Sequence, residues 1–165
     1  MVKKFYWIII FLICGLSCLG ADKNIIALFD MKDVRGRVSQ KGTVFCLLLF
    51  AELSSYDSIK MGERKQLEKI MQEKQLNRSS LANRKYLELA ALVNADYIVT
   101  GRIYEDEDEK QIVVNLKLTK CSNGNIFGKS FATPLTENDK YLQDIAKKAA
   151  AFIAKSLDKK TAVEK

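Results

Sequence analysis

The spacing of apolar residues changes from segment to segment along this chain, and each change predicts an element. Asn24 to Met31 (NIIALFDM) is a short apolar run closed by Asp30 and the polar Lys32-Asp33, the pattern of a buried strand. Val34 to Ser55 is helical by length and composition. Its Val38, Phe45, Leu48, Leu49 and Leu53 recur at roughly helical spacing, and Phe45 to Ala51 is almost continuously apolar. A helix apolar on nearly every side belongs in a core or at a subunit interface. Ser58 to Met61 predicts a second short strand. From Glu63 to Gln75, charged residues alternate with Leu67, Ile70 and Met71 at the i, i+3, i+4 positions of a one-sided helix. A further helix follows, with Asn83 as N-cap, Tyr86, Leu89, Ala90 and Val93 on one face, and Asn94 near its end.

The remainder is strand-rich. Tyr97 to Tyr104 carries β-branched and aromatic residues. Gln111 to Cys121 alternates cleanly, with Ile112, Val114, Leu116 and Leu118 on one side and Asn115, Lys117 and Thr119 on the other. One face is therefore buried and the other wet, and Lys117 argues against a lipid-facing barrel strand. Ser122-Asn123-Gly124-Asn125 is a hairpin turn, because Asn-Gly accepts positive φ at little cost. Ile126 to Thr133 returns antiparallel, and Pro134 stops it. Asp139 to Leu157 places Leu142, Ile145, Ala146, Ala149, Phe152, Ile153 and Leu157 on one helical face that should lie across the sheet.

The summed order is β-α-β-α-α-β-β-β-α. Early β-α-β units favour parallel pairing and the closing meander is antiparallel, so the expected fold is α/β (α+β-like), a two-layer mixed sheet covered by helices. It occupies residues 21–158 as one domain, before a polar tail over 159–165. The chain has no internal repeat and no low-complexity linker.

Residues 1–20 stand apart from that domain. Lys3 and Lys4 form a basic start, Trp7 to Leu19 an apolar stretch, and Cys18-Leu19-Gly20 a small-residue cleavage site before Ala21. This reads as a secretory signal peptide, cut between Gly20 and Ala21, and its shortness disfavours retention as an anchor. Cys18 opens another route, lipidation after cleavage, with Ser17 suitably small beside it but Gly15 where lipoprotein signals usually carry a branched aliphatic residue. Membrane attachment is expected only by that route. An exported chain does not meet nucleic acid, and the net charge of +7, or +5 without Lys3 and Lys4, is modest. Hydrophobic residues at 48% and charged residues at 28% place the chain among globular proteins. Cys46 lies in an apolar helix stripe, where a buried free thiol is favoured over a bridge to Cys121.

Little in the chain points to chemistry. Histidine is absent, which removes the commonest general base and metal ligand, and with it any Ser-His-Asp or Cys-His nucleophile. No phosphate loop, paired-cysteine zinc site or calcium loop occurs, and Gly36 and Gly42 are spaced too far apart for a nucleotide fingerprint. No cofactor, metal or catalytic residue is expected. The run Glu105-Asp106-Glu107-Asp108-Glu109 reads as a solvated strand tip in preference to a calcium-attracting or docking loop, since it lacks the glycine and ligand spacing of one. Gly62-Glu63-Arg64 reads as a helix start, with Glu63 at the positive end of the helix dipole. Lys147, Lys148, Lys155, Lys159 and Lys160 form the wet face of the last helix.

The succession from Met61 to Gly101 resembles that of the curli-secretion channel family (CsgG), whose relatives include LpoB-type activators of penicillin-binding proteins and the N-terminal domain of TolB. Ile26-Ala27-Leu28-Phe29-Asp30 matches the family's opening strand, Met61-Gly62-Glu63-Arg64 its Val-Glu-Arg corner, and Asn94-Ala95-Asp96-Tyr97-Ile98-Val99-Thr100-Gly101 its Gly-Ala-Asp-Tyr-Ile-Val-x-Gly element. The resemblance implies architecture-setting roles for Glu63, Arg64, Asp96, Tyr97 and Gly101. It implies a periplasmic, non-enzymatic component of envelope or surface-fibre assembly with envelope proteins as partners and a homo-oligomer among its options. An LpoB-like activator of peptidoglycan synthesis is the alternative, and a small cell-wall hydrolase using two carboxylates a more distant one. The channel's long membrane-inserting hairpins have no counterpart in this chain.

Overall fold

A computed structural model describes residues 23–73, 83–135 and 140–161. The elements follow the expected order: β1 (Asn24–Leu28), α1 (Gln40–Ser54), β2 (Ile59–Met61), α2 (Arg64–Glu73), α3 (Asn83–Leu92), β3 (Tyr97–Asp106), β4 (Gln111–Lys120), β5 (Ile126–Pro134) and α4 (Lys140–Thr161). They build one five-stranded mixed sheet in the order β2-β1-β3-β4-β5. β1 pairs in parallel with β2 and β3, while β3, β4 and β5 form an antiparallel meander.

Successive residues of a strand point to opposite faces, and the core divides accordingly. Ile26, Val99, Leu116 and Leu118 pack with Phe45, Cys46, Leu49 and Leu53 of α1 and with Leu142, Ile145, Ala149 and Ile153 of α4. Ala27 and Ile98, one residue along, pack on the other side with Leu67 and Met71 of α2 and with Tyr86, Leu89 and Ala90 of α3. The expected two layers hold over the antiparallel half. Over the parallel half α2 and α3 add a third, so that Ile26 and Ala27 are both 0% exposed although they face opposite ways.

Three local features depart from or refine the sequence expectations. The first helix begins at Gln40, not at Val34, because Ser39 is its N-cap: the Ser39 Oγ accepts the Gly42 N–H at 3.0 Å. Residues 32–38 instead make a tight turn. There Lys32 bridges Val38, the Asp33 Oδ1 accepts the Arg37 N–H at 2.8 Å, and Gly36 takes φ +79°. An Asp side chain that bonds the backbone four residues on competes with helix formation, and glycine completes the turn. This helix also leaves Val44 and Leu47 exposed on its outer side. At the end of α3, Asn94 has φ +50°, its N–H donates to Ala91 at 3.2 Å, and the Ala95 N–H donates to Ala90 at 2.9 Å. That pair of bonds is a Schellman cap, which aims the chain from α3 into β3. The hairpin turn at Asn123-Gly124 has Gly124 at φ +70°.

Candidate functional site

The residues singled out by family likeness sit at backbone junctions. Asp96 ties three strands together: its Oδ2 accepts the Ile25 N–H at 2.8 Å, its own N–H donates to the Ile25 carbonyl at 2.8 Å, and its carbonyl accepts the Cys121 N–H at 2.8 Å. Tyr97 is buried in the α1–α4 core beside Ile26. Gly101 lies where β3 presses on β4, and a Cβ there would meet the Asn115 carbonyl oxygen at 2.4 Å and the Met31 Sδ at 2.6 Å. Glu63 is exposed, and its carbonyl accepts the Gln66 and Leu67 N–H groups that open α2. Arg64 is the first residue of that helix. Tyr97 and Gly101 lie on β3 and Asp96 immediately precedes it, whereas Glu63 and Arg64 follow β2. Cys18, Gly20, Ala21 and the tail over 162–165 lie outside the described residues.

A different region holds the exposed charge. Among the described residues, no helix covers the outer strands of the antiparallel half on the face turned away from α1 and α4. Strand register puts Arg102 opposite Asn115 and Ser130, and Thr100 opposite Lys117 and Gly128. Arg102 and Lys117 are therefore diagonal neighbours on adjacent strands, a spacing within reach for long side chains. Lys32 and Tyr86 rise beside them, the Lys32 Nζ 5.4 Å from the Tyr86 ring centre. Together with Thr100, Asn115 and Ser130 they line an open hollow of about 620 Å³ that, among the described residues, no carboxylate lines. Sequence alternation had placed Asn115 and Lys117 on the wet face. Arg102, Lys32 and Tyr86 were missed, because only sheet register and the packing of α3 bring them to Lys117.

The acidic run is the opposite feature. Glu105 and Asp106 end β3, and Glu107 and Asp108 stand exposed at the turn into β4. The turn is ordered: Glu105 pairs with Lys41 of α1, the Asp106 Oδ1 accepts the Glu109 N–H at 3.3 Å, and Lys110 takes φ +49°. Among the described residues no group of three or more cysteines and acids could hold a metal ion, and no helix among them is long and apolar enough to cross a membrane.

Among the described residues, two titratable groups are perturbed. The Arg37 backbone N–H holds the Asp33 carboxyl below the usual carboxylate range, with the Arg37 guanidinium 3.3 Å away adding to it. Burial pushes the Cys121 thiol up, and the Asp96 charge pushes it further. Cys46 and Cys121 are both free thiols on opposite sides of the sheet, the Cys46 Sγ donating to the Phe29 carbonyl at 3.5 Å. A bridge between them is precluded by the intervening strands.

No curated protein matches this chain in sequence. Its fold is similar to the LpoB C-terminal domain from Salmonella enterica, at TM-score 0.57 and 16% identity over 75% of this chain and 93% of that one. It is also similar to TolB from Acinetobacter baumannii, at TM-score 0.57 and 11% identity over 84% of this chain but 29% of the longer TolB. The lipoprotein GNA1162 from Neisseria meningitidis superposes at TM-score 0.52 and 15% identity, over 81% and 98% of the two chains. At such identities the likeness concerns the fold. Residues 25–110, more than half of the chain, match the family described as the curli production assembly/transport component CsgG. They span β1 through β3, the Glu63-Arg64 corner and the Asp96-to-Gly101 element, and on that match the chain belongs to the CsgG family.

Proposed function

We propose that this protein is a non-enzymatic periplasmic component of cell-envelope or surface-fibre assembly that works by binding other proteins. The family match over residues 25–110 carries this reading. Export follows from the signal over residues 1–20, cleaved between Gly20 and Ala21, and lipidation of Cys18 is the route by which the domain would be tethered to the outer membrane. Glu63, Arg64, Asp96, Tyr97 and Gly101 serve the scaffold in this reading, and the contact surface is the open face of the antiparallel half. That surface suits docking because Arg102 and Lys117 project from paired strands, so their positions are fixed before a partner arrives.

In-cell photo-crosslinking tests the reading. A photoreactive residue at Arg102 should give discrete adducts with envelope proteins, and one at the exposed Lys148 of α4 should give far fewer. Absence of adducts from Arg102, with the protein monodisperse and monomeric, would sink it. Loss of a glycan-hydrolysing activity on substituting single Asp or Glu residues would revive the hydrolase alternative. A second reading, activation of a penicillin-binding protein, draws support from the superposition on 93% of the LpoB domain. It predicts faster glycan polymerisation when the purified protein is added to such a synthase, and an unchanged rate would dismiss it.

A further inference from the structure

We propose that the acidic β3–β4 tip of one copy of this protein seats in the basic hollow of a second copy, head to tail. The proposal rests on the open face being a contact surface, and it names the occupant.

The hollow is built for negative charge. Lys32, Arg102 and Lys117 line it, Thr100, Asn115 and Ser130 supply neutral hydrogen-bonding groups between them, and among the described residues no Asp or Glu lines it. Arg102 and Lys117 are diagonal cross-strand neighbours on one face, so an anion placed between them can be shared by both. Its floor is open, since Gly128 lies directly across from Lys117 and a Cβ there would approach nothing closer than the Leu116 carbonyl at 3.8 Å. A volume of about 620 Å³ lies within the range of sites that enclose a small group.

The tip is the matching convex part. Glu107 and Asp108 are exposed at the apex of a turn anchored by the Lys41–Glu105 pair and by the Asp106-to-Glu109 hydrogen bond. Such a preformed knob loses little freedom on docking. It cannot serve its own hollow. Glu107 lies five residues beyond Arg102, just past the end of β3 at Asp106, roughly 17 Å away at the usual strand rise, which exceeds the screening length of physiological salt. Two complementary surfaces that one chain carries but cannot join define a heterologous contact between copies. An acidic glycan or another acidic protein would account for the hollow alone. A second copy accounts for the hollow and the tip together.

Sedimentation velocity on the chain with its signal removed tests this, at about 50 mM and about 500 mM salt. Wild type should self-associate at low salt and dissociate at high salt. Arg102→Glu with Lys117→Glu, and separately Glu107→Lys with Asp108→Lys, should each weaken association by about tenfold or more. An equimolar mixture of the two variants should reassociate, because each tip then faces a hollow of opposite sign. All four positions are at the surface, and circular dichroism checks the fold. Should the hollow variant misfold, loss of association in the tip variant decides the matter. A wild type that stays monomeric at low salt, variants that associate like wild type, or a mixture that stays monomeric would each overturn the proposal. A monomeric protein whose residue 102 still crosslinks to another envelope protein would overturn this contact and leave the proposed function standing.

Discussion

β1, the middle strand of the parallel half, is enclosed on both faces, whereas β4 in the antiparallel half exposes Lys117 on one of its faces, and the residues differ to match. β1 reads Asn24-Ile25-Ile26-Ala27-Leu28, with no charged position, and its Ile26 and Ala27 are fully enclosed on opposite sides. β4 reads Gln111 to Lys120 with Leu116 and Leu118 enclosed, while Lys117 between them is exposed and Asn115 half-buried. A strand between two helical layers has no place for a charge, because desolvating it would cost several kcal/mol. A strand covered on one side can carry a charge at every second residue. β1 is thus committed to holding the domain together, while β4 can also carry surface chemistry.

That contrast can be broken most severely from the core. Phe45→Ala removes a fully buried ring beneath the sheet and should cost about 3–5 kcal/mol, read by urea unfolding. Gly101→Ala comes next. Its new methyl would press on the Asn115 carbonyl and the Met31 sulfur, for a loss of about 1–3 kcal/mol, whereas Gly128→Ala on the open face should stay within about 0.5 kcal/mol. Equal effects at the two glycines would contradict the close β3–β4 approach at Gly101.

Asp96→Ala removes the carboxylate that accepts the Ile25 N–H and should cost about 1–2 kcal/mol, with Asp96→Asn milder because an acceptor remains. Alkylation of Cys121 supplies a test with a pH sign. Its raised pKa means less thiolate, so reaction with iodoacetamide should accelerate only above the ordinary thiol range, and Asp96→Asn should shift that onset downward. The smallest effect belongs to the open face: Lys117→Ala should change stability by no more than about 0.5 kcal/mol.

Most of the fold was legible because its signals are local. Alternation from Ile112 to Leu118 announced a half-buried strand, Asn123-Gly124 a hairpin, and Asn94 a helix end, and in each case the backbone geometry follows from that residue's own conformational range. The start of α1 was misread because apolar content continued through Val34 and Val38, while the signals that won were polar: the Asp33 side chain and the Ser39 cap. The open face was half legible. Lys117 was assigned to the wet side, yet nothing local said that Arg102 would stand diagonal to it.

The sequence alone therefore determined the order and type of elements, the parallel-then-antiparallel pairing and the side of β4 that meets water, since each depends on residues close together in the chain. Tertiary structure alone decided that α2 and α3 pack on the side of the sheet that carries Ala27 and Ile98, opposite α1 and α4. It also decided that Lys32, Tyr86, Arg102 and Lys117 gather around one hollow. The physical reason is register: pairing across strands and the packing of α3 bring together side chains as distant as residues 32 and 117, and an exposed lysine looks the same in sequence whether it stands alone or in a cluster.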